Sequence, residues 1–109
     1  MREHLRELIE RRLLSRREEL RDRLAAFQRE RESESLSRDW TEQVTQRASG
    51  EILARLQDSV KVELRDVQGA LLRLSDGTYG CCRICGALIA PARLYSLPQA
   101  DCCSRCDGT

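Results

Sequence analysis

Residues 81–106 read CCRICGALIAPARLYSLPQADCCSRC, and this stretch decides how the chain is organised. Cys82 and Cys85 form one C-x2-C pair and Cys103 and Cys106 a second, with seventeen residues between them. A C-x2-C turn presents two thiolates to one ion, and two such turns supply the four soft donors that a tetrahedral Zn²⁺ takes. Gly86, Pro91 and Pro98 help the intervening chain return on itself. With four protein ligands no position is left for a reactive water, so the pattern describes one structural zinc ion and not a hydrolytic centre. The chain is therefore not expected to be an enzyme. Cys81 and Cys102 each precede a ligand cysteine, so C-x3-C registers (Cys81 with Cys85, Cys102 with Cys106) compete with the tighter x2 turns, which are the commoner chelate. The two extra thiols have two readings: small buried residues beside the site, or redox thiols whose oxidation exchanges a ligand and ejects zinc.

Outward from this module the composition changes abruptly. All six cysteines and both prolines lie within residues 76–109, whereas residues 1–75 hold neither. That break sets the expected division: a helical part over 1–75 and a four-cysteine zinc finger over 76–109. In the first part Leu5, Leu8, Ile9, Leu13, Leu14, Leu20, Leu24 and Phe27 fall on one apolar stripe at helical spacing, interrupted by the polar Ser15–Glu19. Further on, Leu53, Val60, Val67 and Leu74 repeat every seven residues, with Leu64 and Leu71 at the alternate position of a coiled-coil seam. Between them RESESLSRDWTEQ lacks apolar periodicity. Asp39 with Glu42 is an N-terminal capping pair for the second helix, and Ser75-Asp76-Gly77 ends it.

Each helix would run about 34 residues, or roughly 50 Å at about 1.5 Å per residue. Neither can bury its stripe alone. The short connection predicts an all-α-dominated fold, a long antiparallel hairpin with its tip near residues 35–48, followed by the finger. A parallel homodimeric coiled coil is the competing arrangement, and a monomer is expected. Gly50 and Gly69 each disfavour helix by roughly 1 kcal/mol relative to Ala, without erasing the pattern.

Several functions are excluded by composition. Nineteen basic side chains against eighteen acidic ones leave a net charge of +1, without the basic excess of a nucleic-acid binder. In the finger, Arg83, Arg93 and Arg105 are offset by Asp76, Asp101 and Asp107, so direct DNA binding is not expected. No stretch is long and apolar enough for a membrane, and the charged N-terminus does not resemble a signal peptide. These features place the chain in a reducing cytoplasm, where clustered cysteines hold metal more often than structural disulfides. A thiol oxidoreductase would need the βαβ pattern around its C-x-x-C, which is missing.

The residues Tyr79-Gly80-Cys81-Cys82-Arg83-Ile84-Cys85-Gly86, with Ile89, Arg93-Leu94, Pro98-Gln99-Ala100-Asp101-Cys102-Cys103 and Cys106, resemble the DksA/TraR C4-type zinc finger. The likeness covers residues 79–106 and includes positions that are not ligands. It implies a bacterial transcription factor that binds RNA polymerase, with a coiled coil entering the secondary channel and its tip approaching the catalytic magnesium region. The family's tip carries Asp-x-x-Asp-x-Ala. Here Gln43 and Gln46 stand at the two aspartates and Ala48 at the alanine, so hydrogen-bonding capacity stays and negative charge is lost. Asp39 and Glu42 are the nearby carboxylates at shifted positions. Trp40 is read either as packing against the hairpin end or as a contact anchor on the partner. Some members bind ppGpp through basic side chains. An arginine before the finger's proline aligns with Leu97, and a basic residue after the last cysteine aligns with Asp107. The chain also ends three residues after Cys106, without the C-terminal helix of longer members. Weak or absent ppGpp binding follows. The alternative to a polymerase-binding regulator is a zinc-dependent adaptor or nucleic-acid-binding module.

Overall fold

Residues 3–34 contain neither glycine nor proline and are dense in Arg, Glu and Leu, all strong helix formers. In the computed structural model they form one unbroken helix, α1, over Glu3–Glu34. The polar Ser15–Glu19 interrupts the apolar stripe but not the backbone. The second helix, α2, spans Trp40–Asp76. A short third helix, α3, spans Pro91–Ser96. The structure describes residues 3–34 and 40–107, with side chains at 3–30, 32 and 50–107. Asp39 lies outside the described residues. Trp40, Glu42, Gln43, Gln46 and Ala48 belong to α2, and their side chains lie outside the described ones too.

The chain forms two compact units, residues 1–17 with 65–109 and residues 18–64, which group the sequence differently from the compositional break at 75. In the first unit, the start of α1 meets the end of α2: Arg6 Nη2 donates to the Leu74 carbonyl at 3.0 Å. Between them Ile9 and Leu13 of α1 and Val67, Ala70 and Leu74 of α2 are buried. Each fully buried Leu, Ile or Val side chain contributes about 1.5–3 kcal/mol from the apolar surface it removes from water. In the second unit Leu20 and Val60 are buried, Leu24, Phe27, Leu53 and Leu64 are half-buried, and Gln57 is a buried polar residue on the seam. Within the first unit the start of α1 therefore lies against the end of α2, the pairing expected of an antiparallel hairpin.

Two details depart from the sequence expectation. Leu14 is exposed while Leu13 is fully buried, because neighbours on a helix point about 100° apart and only one can face the partner. Ala70 is fully buried although the heptad pattern does not select it. At the end of α2, Gly77 adopts φ +84°, and Thr78 and Tyr79 both donate their N–H to the Arg73 carbonyl, at 3.0 and 3.2 Å. The left-handed residue turns the chain out of the helix and satisfies a carbonyl that the helix leaves unpaired. Asp76 Oδ1 accepts from Thr78 N and Oγ1, which holds its carboxyl below the usual range.

Candidate metal centre

After Gly77 the chain packs back onto the hairpin base. Tyr79, Ile89, Leu94, Pro98 and Ala100 are buried there, and the Tyr79 hydroxyl donates to the Pro98 carbonyl at 2.6 Å. Burial pushes the Tyr79 phenol up to about 12. Residues 80–89 fold as a small antiparallel turn. Ile89 N donates to Gly80 O and Cys82 N to Ala87 O, both at 2.8 Å, around an isolated Cys81–Leu88 bridge. Pro91 opens α3 because its ring fixes φ and its missing N–H is not needed there. The helix buries Leu94. Arginines of the hairpin fasten this layer by its backbone. Arg12 donates to the Tyr95 carbonyl with its guanidinium 5.1 Å from the centre of the Tyr95 ring, and Arg73 Nη2 donates to Gln99 O at 3.4 Å.

On this base stand two knuckles of the same design. In the first, Gly86 N donates to Cys82 O at 2.9 Å. In the second, Asp107 N donates to Cys103 O at 3.0 Å, and Cys106 N to the same carbonyl at 3.1 Å. Gly86 takes φ +76°, a conformation that a residue with Cβ rarely adopts, so the first turn depends on glycine. The knuckles are tied together by Arg83, whose N–H donates to Asp101 O at 2.9 Å while its Nε reaches Asp101 Oδ2 at 2.8 Å. Arg93 Nε donates to Cys102 O at 3.0 Å, and its Nη2 pairs with Asp107 Oδ2 at 3.1 Å.

The result is that Cys82, Cys85, Cys103 and Cys106 place their Sγ atoms within 4.8 Å of one another. Cys85 Sγ lies 3.7 Å from Cys103 Sγ. A tetrahedron with metal–sulfur bonds of about 2.3 Å has edges of about 3.8 Å, so the four sulfurs have the spacing that a zinc ion requires. Their electrostatics fit as well. Backbone N–H groups of Cys85, Cys103 and Ile84 point at Cys82 Sγ and hold its thiol down to about 6. Those of Cys106 and Arg105 lower Cys103 in the same way. Cys106 is pushed up, because its thiol donates to Cys103 and cannot ionise beside it without a neutralising charge. Four converging sulfurs whose ionisation is partly prepared and partly blocked are what a divalent cation completes.

Cys81 is exposed and Cys102 half-buried, and neither belongs to the four-sulfur group. The arrangement is that of the C-x2-C registers. The tie Arg83–Asp101, the pair Arg93–Asp107 and the anchors from Arg12 and Arg73 are not legible in the sequence. For the first two a signal exists, since an opposite charge flanks each knuckle, but spacing alone does not say which Asp each Arg meets.

Comparison with known proteins adds three findings. The chain matches no protein-family profile. A protein of Aquifex aeolicus (strain VF5), described as an uncharacterized protein, is 33% identical over 69 residues, 63% of this chain and 48% of that one. The match thus spans about half the length of this relative. The solved structure of transcription factor DksA2 from Pseudomonas aeruginosa superposes with a TM-score of 0.86 at 28% identity, covering 94% of this chain and 80% of that chain. The fold is DksA-like. The likeness is one of overall fold, beyond the cysteine spacing of the C4-type finger that the sequence resembles.

Two further features of the DksA-like chain lie beside the metal cluster, both within the first compact unit. An open apolar groove is lined by Leu5 and Leu8 of α1 and by Tyr79, Leu88, Ile89 and Leu94. A polar pocket is lined by Arg65, Arg73, Arg83, Arg93, Leu97 and Asp107, among others. Leu97 and Asp107, the two positions that the sequence resemblance aligns with basic side chains, both line this pocket. Among the described residues no helix is long and apolar enough to cross a membrane.

Proposed function

We propose that this DksA-like chain is a transcription regulator that binds RNA polymerase, entering the secondary channel with the hairpin tip near residues 35–48. The observation that carries this reading is the agreement with DksA2 over 94% of the chain at a TM-score of 0.86. Asp39, Trp40, Glu42, Gln43, Gln46 and Ala48 are the proposed contact residues. Glutamines at the two family aspartates keep hydrogen-bonding capacity but lose the negative charge at those positions, with Asp39 and Glu42 as carboxylates at shifted ones, so occupancy of the channel and effect on initiation are separable properties. The chain acts as a cytoplasmic monomer and not as an enzyme, since four thiolates fill the coordination sphere of a Zn²⁺ and leave no site for a reacting water. Cys82, Cys85, Cys103 and Cys106 would hold that ion, whose contribution is to close the two knuckles over the hairpin base.

Two ion pairs support the absence of direct DNA binding and of strong ppGpp binding. Arg83 is engaged by Asp101 and Arg93 by Asp107, so both arginines reach the polar pocket already neutralised. An anion that engages Arg83 or Arg93 there competes with a carboxylate that is already paired.

The test is co-purification with core RNA polymerase, followed by crosslinking from Trp40 and Gln43 to the channel walls. Crosslinks inside the secondary channel are expected. Polymerase binding with crosslinks elsewhere removes the channel. Salt-dependent binding to duplex DNA in place of polymerase binding moves the function to the nucleic-acid-binding alternative. Inhibition of a ribosomal promoter that deepens with added ppGpp contradicts the pocket argument.

A further inference from the structure

The apolar groove of the first compact unit holds a leucine that the fold leaves almost wholly in water. One wall is α1, which presents His4, Leu5 and Leu8; the other carries Leu88, Ile89 and Leu94. Ile89 and Leu94 are buried, but Leu88 is 82% exposed although it lines a concavity of about 940 Å³. No carboxylate lines this groove. Leu5, Leu8 and Arg12 are spaced i, i+3 and i+7, so they share one face of α1 over about 10 Å. Arg12 meets the Tyr95 carbonyl and the face of the Tyr95 ring, both uncharged, so its guanidinium keeps its charge. One of its five N–H donors is spent on that carbonyl. An apolar trench is thus continued by a cation, with no acid along its length.

We propose that this groove is a docking site for an acidic amphipathic helix of another protein. The helix lays its large apolar side chains against Leu5, Leu8 and Leu88 and brings a carboxylate to Arg12. Charge decides the occupant: the guanidinium fork matches a carboxylate, and no acid of the groove opposes one. The spacing of Leu5, Leu8 and Arg12 suits a helical segment, which carries its own anchors at i, i+3 and i+7. A second copy of the chain, meeting the groove across a two-fold axis, would set one basic, acid-free groove against another. A lipid surface reaches Leu88 but does not enter a walled groove whose floor, Ile89 and Leu94, is already buried. The inference goes beyond the polymerase reading and is independent of it, since the contact residues proposed there lie at 39–48.

The test uses the full chain, with zinc supplied, and a fluorescein-labelled synthetic helix stapled on its far face, with leucines at i, i+3 and i+7 flanked by glutamates. A counterpart carries lysines in place of the glutamates. Fluorescence anisotropy is expected to show saturable one-to-one binding of the acidic helix and binding about tenfold weaker for the basic one. Leu88→Gln, at a side chain that the fold does not bury, should weaken the acidic helix about tenfold. Leu72→Gln, on α2 at a leucine that is 67% exposed and outside the groove, should leave binding unchanged. Arg12→Gln keeps a donor for the Tyr95 carbonyl and should weaken binding about two- to fivefold while reducing its salt dependence. The proposal is overturned by absence of saturable binding, by equal binding of the two helices, or by Leu88→Gln and Leu72→Gln behaving alike. Binding of the chain to vesicles of anionic phospholipid that the acidic helix does not displace overturns it in favour of lipid. Self-association of the wild-type chain that Leu88→Gln abolishes overturns it in favour of a second copy.

Discussion

The two knuckles and the hairpin base lie in the same compact unit but are held by different forces. At the base Ile9, Leu13, Val67, Ala70 and Leu74 interlock as a dry seam, held chiefly by the removal of apolar surface from water. In the knuckles Cys82 is the one fully buried cysteine, and Arg83, Ile84, Cys85 and Arg105 face solvent. Turns of this size do not bury enough to order themselves, so their stability would come from backbone hydrogen bonds and from a metal ion of the kind that the four sulfurs could hold. A short chain can therefore present an exposed, rigid surface at one point provided that a separate apolar seam anchors it.

Metal removal tests this division most severely, because the binding energy of a structural zinc ion is on the order of 10–16 kcal/mol in small domains. Chelation is expected to abolish protection of the amides at Gly86, Cys106 and Asp107 from hydrogen exchange, while those of α1 and α2 in the base stay protected. Simultaneous loss of both would show that the two regions are one cooperative structure. Next in size is Leu13→Ala, expected to destabilise the base by about 2–5 kcal/mol through lost burial and the cavity left behind. Leu24→Ala, at a half-buried position in the other compact unit, should cost clearly less in the same urea titration.

Tyr79 joins the two regions, and its titration gives a pH signature. Its phenol is raised to about 12 in the fold, against about 10 in an unfolded chain. The fold thus favours the protonated form: the stabilisation is complete below about pH 10 and disappears as pH rises through about 12. Tyr79→Phe should lose roughly 0.5–1.5 kcal/mol at neutral pH, with the hydrogen bond to Pro98. It should also flatten the decline in stability between those two pH values. An unchanged alkaline slope in the variant would assign the decline to other groups. The smallest effect is expected at Arg83→Ala. Its ion pair with Asp101 is well exposed to water and worth about 0–1 kcal/mol, so a shift in metal affinity larger than in global stability would mark the tie as local to the knuckles.

Much of this architecture is legible in the residues. The seven-residue repeat of Val60, Val67 and Leu74 emerges as the buried seam of α2, and the x2 spacing brings together the four sulfurs that it names. What spacing does not reveal is contact between residues distant in sequence. Nothing local marks Tyr79 as the partner of Pro98, Arg12 as the partner of Tyr95, or Asp107 as the partner of Arg93. The short helix α3 is also hidden, because six residues carry too little periodicity to be distinguished from a loop. Gln57 shows the converse limit: it occupies the alternate heptad position seven residues before Leu64, so its register accounts for a burial that its polar side chain alone would not suggest.

The first compact unit is assembled from residues 1–17 and 65–109, and the connection between Arg6 and Leu74 closes only after the intervening stretch has doubled back. Closing a loop of that length costs roughly 4 kcal/mol in chain entropy, which the contacts of this unit must offset. It also follows that the cysteine-bearing part is not an excisable module. A fragment cut at the compositional break, starting from Asp76, would leave Tyr79, Ile89 and Leu94 without the helical surface they cover. It would also leave Tyr95 and Gln99 without the guanidinium groups that bind their carbonyls. The first turns of the chain, seventy residues away in sequence, are as much a part of the finger as its own loops.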